Sequence, residues 1–134
     1  MVGAFLLGCN KAPAPVHRVE LRKLGDDRVE LVPLAGAPPR CLAFTIAEKG
    51  LVRQLTMSPE KKSLDCPPGR PIGGTSFRIP PTEGKVRIYV FFSDLQLSAD
   101  SVAHQVSDLS ANPSFSVLDL RLPGHVVADV LEYP

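Results

Sequence analysis

Fourteen prolines in 134 residues, spread along most of the chain, constrain this fold more than any other feature. A proline inside a helix removes a backbone hydrogen bond and clashes with the preceding turn, at about 3 kcal/mol. A bundle of long helices is therefore excluded. Between the prolines, short apolar stretches alternate with turn residues, the pattern of a mainly β chain. The length suits one domain. Hydrophobic residues at 44% and charged residues at 22% are near globular averages, so most of the chain should fold. No apolar run reaches the roughly 18 residues that a membrane-spanning helix needs.

Strict alternation at Arg18–Arg22 and again at Arg28–Val32 predicts two strands, with Gly25, Asp26 and Asp27 as the hairpin turn between them. Pro33 to Pro39 reads as a loop. Cys41–Ala47 is a mostly apolar run, hence a central strand, and Leu51–Met57 pairs back on it after a turn ending in Gly50. Ser58–Gly74 is a long polar loop with four prolines, followed by a short strand at Thr75–Ile79. Gly84–Phe92 is the strongest strand. Val86, Ile88, Val90 and Phe92 share one face, and the other becomes apolar at Tyr89 and Phe91, so burial on both sides is expected. One helix is expected at about 98–110. Ser98 is its N-cap, Asp100 complements the dipole, and Val102, Val106 and Leu109 form a narrow apolar stripe ended by Asn112-Pro113. Two further strands, Phe115–Leu122 and His125–Tyr133, flank a Pro123-Gly124 turn. The spacing of turns points to an antiparallel β-sandwich of about eight strands with one short helix.

The chemistry-bearing residues are sparse. No G-x-S-x-G or H-E-x-x-H motif is present, and Gly69–Gly74 lacks the Gly-Lys-Ser/Thr of a phosphate loop. His17, His104 and His125 have no metal-ligand spacing, so no metal is expected. Asp26 and Asp27 fit a turn, and Asp94 and Asp100 fit a helix start, without any catalytic role. The net charge of +1 gives no footprint for nucleic acid. That charge is uneven: residues 1–94 carry 14 Lys/Arg against 9 Asp/Glu, and residues 95–134 carry one against 5. A dipolar surface of this kind suits a charged partner. On the long loop, Lys61, Lys62 and Arg70 read as a solvated face or as a loop that docks a partner or anionic lipid.

Leu6-Leu7-Gly8-Cys9 resembles a bacterial lipobox: an apolar residue, a permissive one, a small one, then Cys. The resemblance implies signal-peptidase cleavage before Cys9 and diacylglycerol on its thiol. The Pro-bearing stretch Asn10–Pro15 then reads as an extended tether. The alternative is an apolar N-terminal strand with a buried Cys9. If Cys9 carries lipid, export to an oxidising compartment would allow Cys41 and Cys66 to form a disulfide, worth about 3 kcal/mol by chain entropy. Two free buried thiols, or a metal site, are the competing readings.

The start together with a small β domain resembles bacterial outer-membrane lipoproteins. The stretch Leu42–Val106, with its strand, Phe92-Ser93-Asp94 and helix junction, is similar to small β-rich ectodomains frequent in myxobacteria. Size and element order also resemble the transthyretin-like lipoprotein of the type VI secretion membrane complex. These resemblances imply a shortened signal peptide at 1–8, a lipidated Cys9 and flexible tether at 9–16, and a sandwich domain at 17–134. The expected role is a non-enzymatic, lipid-anchored protein of the cell envelope, held at the outer membrane and facing the periplasm or the cell surface. It would bind a protein partner and use no cofactor beyond the Cys9 diacylglycerol. A type VI-like assembly lipoprotein and a soluble periplasmic ligand carrier are the alternatives.

Overall fold

The computed structural model describes residues 17–110 and 120–134. Within them the chain forms β1 (Val19–Lys23), β2 (Arg28–Pro33), β3 (Arg40–Ala47), β4 (Val52–Gln54), β5 (Leu64–Asp65), β6 (Phe77–Arg78), β7 (Val86–Ser93), α1 (Ala99–Ser110) and β8 (Val126–Tyr133). The protein is mainly β. Eight strands make two antiparallel sheets. The smaller has the order β1-β2-β6. The larger has the order β4-β3-β7-β8, with β5 pairing to β3.

The larger sheet is the middle layer, and its strand sequences explain why. In β3 and β7 nearly every position is buried, so each strand supplies two cores by the two-residue alternation of a pleated strand. On the sandwich side, Cys41, Ala43 and Ala47 of β3 face Phe92, Val90 and Val86 of β7. Small residues thus stand beside large ones, and Val29, Leu31 and Phe77 of the smaller sheet close that core. On the other side, Leu42 and Phe44 stand beside Phe91 and Tyr89. The Phe44 and Phe91 rings meet edge-to-face with centroids 6.0 Å apart. Helix α1 covers this second core with Ala99, Val102 and Val106. The sandwich therefore carries its helix as a third layer.

Helix α1 begins as its sequence predicts. The Ser98 hydroxyl accepts the Ser101 amide at 3.3 Å, and Asp100 occupies the first turn. The Leu109 side chain and the Asn112-Pro113 stop lie outside the described residues. The first hairpin also forms as expected, with Val19 opposite Pro33 and Lys23 opposite Val29. Pro33 closes β2 rather than opening a loop.

Three strand expectations are corrected. Leu51–Met57 keeps only Val52–Gln54 as strand. Beyond it the Thr56 hydroxyl takes the Ala43 amide at 3.1 Å, replacing a ladder bond with a side chain. The long loop contains strand β5 and a 3-10 turn at Ile72–Gly74. Of the expected strand Phe115–Leu122, residues 115–119 lie outside the described residues, and Leu120–Leu122 are not strand. The reason is a rival partner: the Gln105 side-chain amide bonds both the amide (2.7 Å) and the carbonyl (2.9 Å) of Arg121, holding that backbone to the helix.

The two cores predict opposite tolerances. Phe91→Ala empties a site with no solvent exposure and should lower unfolding free energy by about 3–5 kcal/mol. Ala43→Leu overfills the inter-sheet core and should cost about 1–3 kcal/mol. Urea denaturation of the two variants checks both; unchanged stability in either would contradict the packing.

Candidate functional site

Cys41 and Cys66 are joined by a disulfide with Cα atoms 5.9 Å apart, across 25 residues of chain. Both are fully buried. Cys41 belongs to β3 and projects into the inter-sheet core, and Cys66 follows β5. The Cys66 amide also donates to the Pro39 carbonyl at 2.8 Å. The middle of the proline-rich loop is thus tied to the central sheet.

From this tie the loop runs in two directions, which separates the basic residues grouped in the sequence. Upstream, the main chain of Lys61–Ser63 docks on the start of α1. The Ala99 amide donates to the Lys61 carbonyl, and the Ser63 amide to the Leu97 carbonyl, each at 2.9 Å. The Ser63 hydroxyl in turn accepts the Leu97 amide at 2.9 Å. Lys61 reaches this position with φ at +56°, a left-handed conformation unusual for a residue with a Cβ. Ser58 steadies the bend, its hydroxyl bonded to both the amide and the carbonyl of Lys62. Glu60, Lys61, Lys62, Gln96, Ser98 and Asp100 line an open cavity of about 440 Å³ against the buried Leu97. Downstream, Arg70 follows Gly69, whose amide bonds the Pro33 carbonyl at the end of β2. Arg70 is exposed and does not line the cavity.

The cavity carries both signs of charge. The Lys61 ammonium lies 3.9 Å from the Asp100 carboxylate, and both side chains are mostly exposed. Such a pair contributes at most about 1 kcal/mol. Glu60 and Asp100 thus stand beside Lys61 and Lys62 in the same lining. A second opening, of about 330 Å³, lies at the far end of the larger sheet, lined by Ile46, Glu48, Lys85, Arg87, Glu132 and Tyr133 among others. There the Arg87 guanidinium stands 5.9 Å from the Tyr89 ring centroid. Burial pushes the Tyr89 hydroxyl above its ordinary range, and the Arg87 charge opposes part of that rise.

A polar cluster that the sequence did not single out joins the two ends of the domain. The Asp129 carboxylate, only 7% exposed, accepts Nδ1–H of His17 at 2.7 Å, the Arg18 amide at 2.8 Å and the Val19 amide at 3.2 Å. Strand β1 is thereby clamped to β8. The signal was a carboxylate sharing one strand face with Val127, Leu131 and Tyr133, since a buried charge needs partners. Of the remaining singled-out residues, His104 is exposed on α1, and Asp27 bonds Arg78 at 2.9 Å beside the first turn. Asp94 accepts the amides of His125 and Leu95, each at 3.0 Å. The His125 amide, first among several causes, holds the Asp94 carboxyl below its ordinary range. Cys9 lies outside the described residues. Among the described residues, no group of three or more His, Cys, Asp or Glu could hold a metal ion.

Searches of protein-family models, curated proteins and solved structures find no match to this chain.

Two outcomes are expected. Asp129→Ala strands the buried Val19 amide and the half-buried Arg18 amide and should destabilise the domain by about 1–3 kcal/mol, with Asp129→Asn intermediate, as read by chemical denaturation. A depressed carboxyl gives stability that is complete above the unfolded-state value near 4 and is lost as pH falls through the lower folded value. Asp94→Asn should therefore reduce the loss of stability below about pH 4. An acid titration identical to that of the parent would show that the Asp94 contacts do not hold in solution.

Proposed function

We propose that this chain is a lipid-anchored protein of the cell envelope that acts by binding a protein partner, with no chemistry of its own. The observation that carries the reading is the fully buried Cys41–Cys66 disulfide, which couples the central strand to the long loop. Structural disulfides of this kind belong to oxidising compartments such as the bacterial periplasm. With that pair engaged, Cys9 is the remaining cysteine of three, and it stands in the lipobox-like Leu6-Leu7-Gly8-Cys9. A diacylglycerol there, with a further acyl chain on the new amino terminus, would supply the two or more chains that stable anchoring requires.

The state of the polar groups supports binding over catalysis. Asp129 and Asp94 accept main-chain amides, and Asp100 pairs with Lys61. These carboxylates fix loops and strand ends. On this reading the mixed-charge surface formed by Glu60, Lys61, Lys62 and Asp100 is where the partner docks, and the outer membrane is where the anchor sits.

Intact mass of the protein from a membrane fraction, before and after reduction, tests the reading. The expected species begins at Cys9, carries diacylglycerol, and gains two hydrogens on reduction. An unmodified chain retaining residues 1–8 in the soluble fraction would overturn the anchor. A chain that gains no hydrogens would remove the argument for an oxidising compartment.

A further inference from the structure

We propose that one end of the sandwich, formed by the β1–β2 turn, the β3–β4 turn and the start of β7, docks on an anionic phospholipid bilayer with Leu24 and Leu51 inserted. The proposal rests on the Cys9 anchor, which holds the domain at the surface, and its test lets the two fail separately.

The ladders bring these turns to one end. Lys23 stands opposite Val29 where the first hairpin closes, and Ile46 opposite Val52 where the second does. Ala47 stands opposite Val86, and Val86 opposite Tyr133. The Glu48 amide donates to the Lys85 carbonyl at 2.9 Å, and the Tyr133 hydroxyl to the Asp26 carbonyl at 3.3 Å. Both sheets contribute to this end.

Each of the three segments presents a lysine: Lys23, Lys49 and Lys85. Two of them add a leucine. Leu24 directly follows Lys23 and is 54% exposed, and Leu51 stands two residues after Lys49 and is 48% exposed. A lone exposed leucine needs no explanation. Here the opening of about 330 Å³ lies at the same end, with the buried Ile46, Val86 and Tyr133 in its lining. Leucine beside lysine suits the boundary layer of a bilayer, the apolar side chain among acyl chains and the ammonium at the phosphates.

The balance of charge selects an anionic surface. Asp27 and Glu83 are taken by Arg78 and Arg53. Asp26, Glu48 and Glu132 then stand against Lys23, Arg28, Lys49, Lys85 and Arg87, a net of +2. Arg28 donates to the neutral Ser76 hydroxyl at 3.0 Å. Lys61 and Lys62, by contrast, share their lining with Glu60 and Asp100. Each basic group near an anionic surface favours binding only modestly, so contact depends on a domain already held close. The chain ahead of the domain is long enough to do this. Cys9 lies eight residues before His17, a span of at most about 28 Å. From Arg18 along β1 to Leu24 is six residues, or about 20 Å. A tether directed back along β1 reaches the level of the turns.

The test supplies the anchor chemically. With Cys41 and Cys66 joined, Cys9 is the free thiol, and the full chain is coupled through it to a maleimide lipid in vesicles. The sequence has no tryptophan, so a single one reports its own position. Leu24→Trp and Leu51→Trp are compared with Met57→Trp, a 74% exposed site past β4, towards the opposite end. In phosphatidylglycerol vesicles with brominated acyl chains, emission from the two turn sites should fall about twofold, and that of Met57→Trp should not change. Brominated phosphatidylcholine vesicles should leave all three unquenched. Lys49→Glu combined with Lys85→Glu should remove the quenching on phosphatidylglycerol. No quenching at the turns, equal quenching at all three sites, indifference to lipid charge, or indifference to the lysine reversals would each overturn the docking. Should one tryptophan variant fail to fold, the other decides, since Leu24 and Leu51 follow strands of different sheets. The mass of the cellular protein decides the anchor separately: a chain without diacylglycerol overturns the anchor, and unquenched turns on coupled vesicles overturn the docking.

Discussion

The ladder between β3 and β7 is the constraint on which the rest of the molecule depends. Eight residues of each strand pair in register, and both faces of the pair are buried. A strand buried on both faces has no direction in which it can slip, since a one-residue shift exchanges the two cores. The side chains reinforce this. The inter-sheet face of β3 is built from Cys, Ala and Thr, and the helix face from Leu, Phe and Ile. Exchanging them would press Leu42 and Phe44 into a space shaped for Cys41 and Ala43. Every other element attaches to this pair: β4 and β5 on one edge, β8 on the other, the smaller sheet below and α1 above.

Because the two cores do not share a face, the layers need polar ties at their margins. Three serve this purpose, and each uses backbone groups. Asp129 takes the first amides of β1, Ser63 takes the Leu97 amide ahead of α1, and Gln105 takes Arg121 ahead of β8. A backbone amide withdrawn from water is destabilising unless bonded, so these contacts set where loops can lie. A glycine adds a steric version of the same control. At Gly124, with φ at +71°, a Cβ would come within 2.7 Å of Leu95, so the turn before β8 fits closely over the end of β7.

Much of the fold was legible in the sequence for simple reasons. Alternation marked β1, β2 and β7, an apolar run marked β3, and a serine cap marked α1. The number of strands also agrees, but their membership does not. β5 is two residues of a polar loop, drawn into the sheet by its neighbour Cys66, and no periodicity can show in two residues. The segment Leu120–Leu122 alternates as a strand should, yet Leu120 and Leu122 serve the helix-side core while Gln105 takes the backbone between them. The three-layer arrangement was not legible either, because periodicity gives the burial of a face without saying what covers it. Lys61, Lys62 and Arg70 are close in sequence but diverge around the disulfide. The Asp129 clamp joins residues 110 to 112 apart, beyond the reach of any local pattern.

The position of that clamp has a mechanical consequence. Any pull through the chain ahead of His17 arrives first at the beginning of β1, an edge strand of the smaller sheet. Taken alone, β1 would peel from β2 one pair at a time. The Asp129 carboxylate grips the amides of Arg18 and Val19 at the point of entry and passes the tension into β8, which is paired along its full length to β7. Traction is thereby shared between both sheets from its first step, and the weaker sheet is spared the role of first element to unzip.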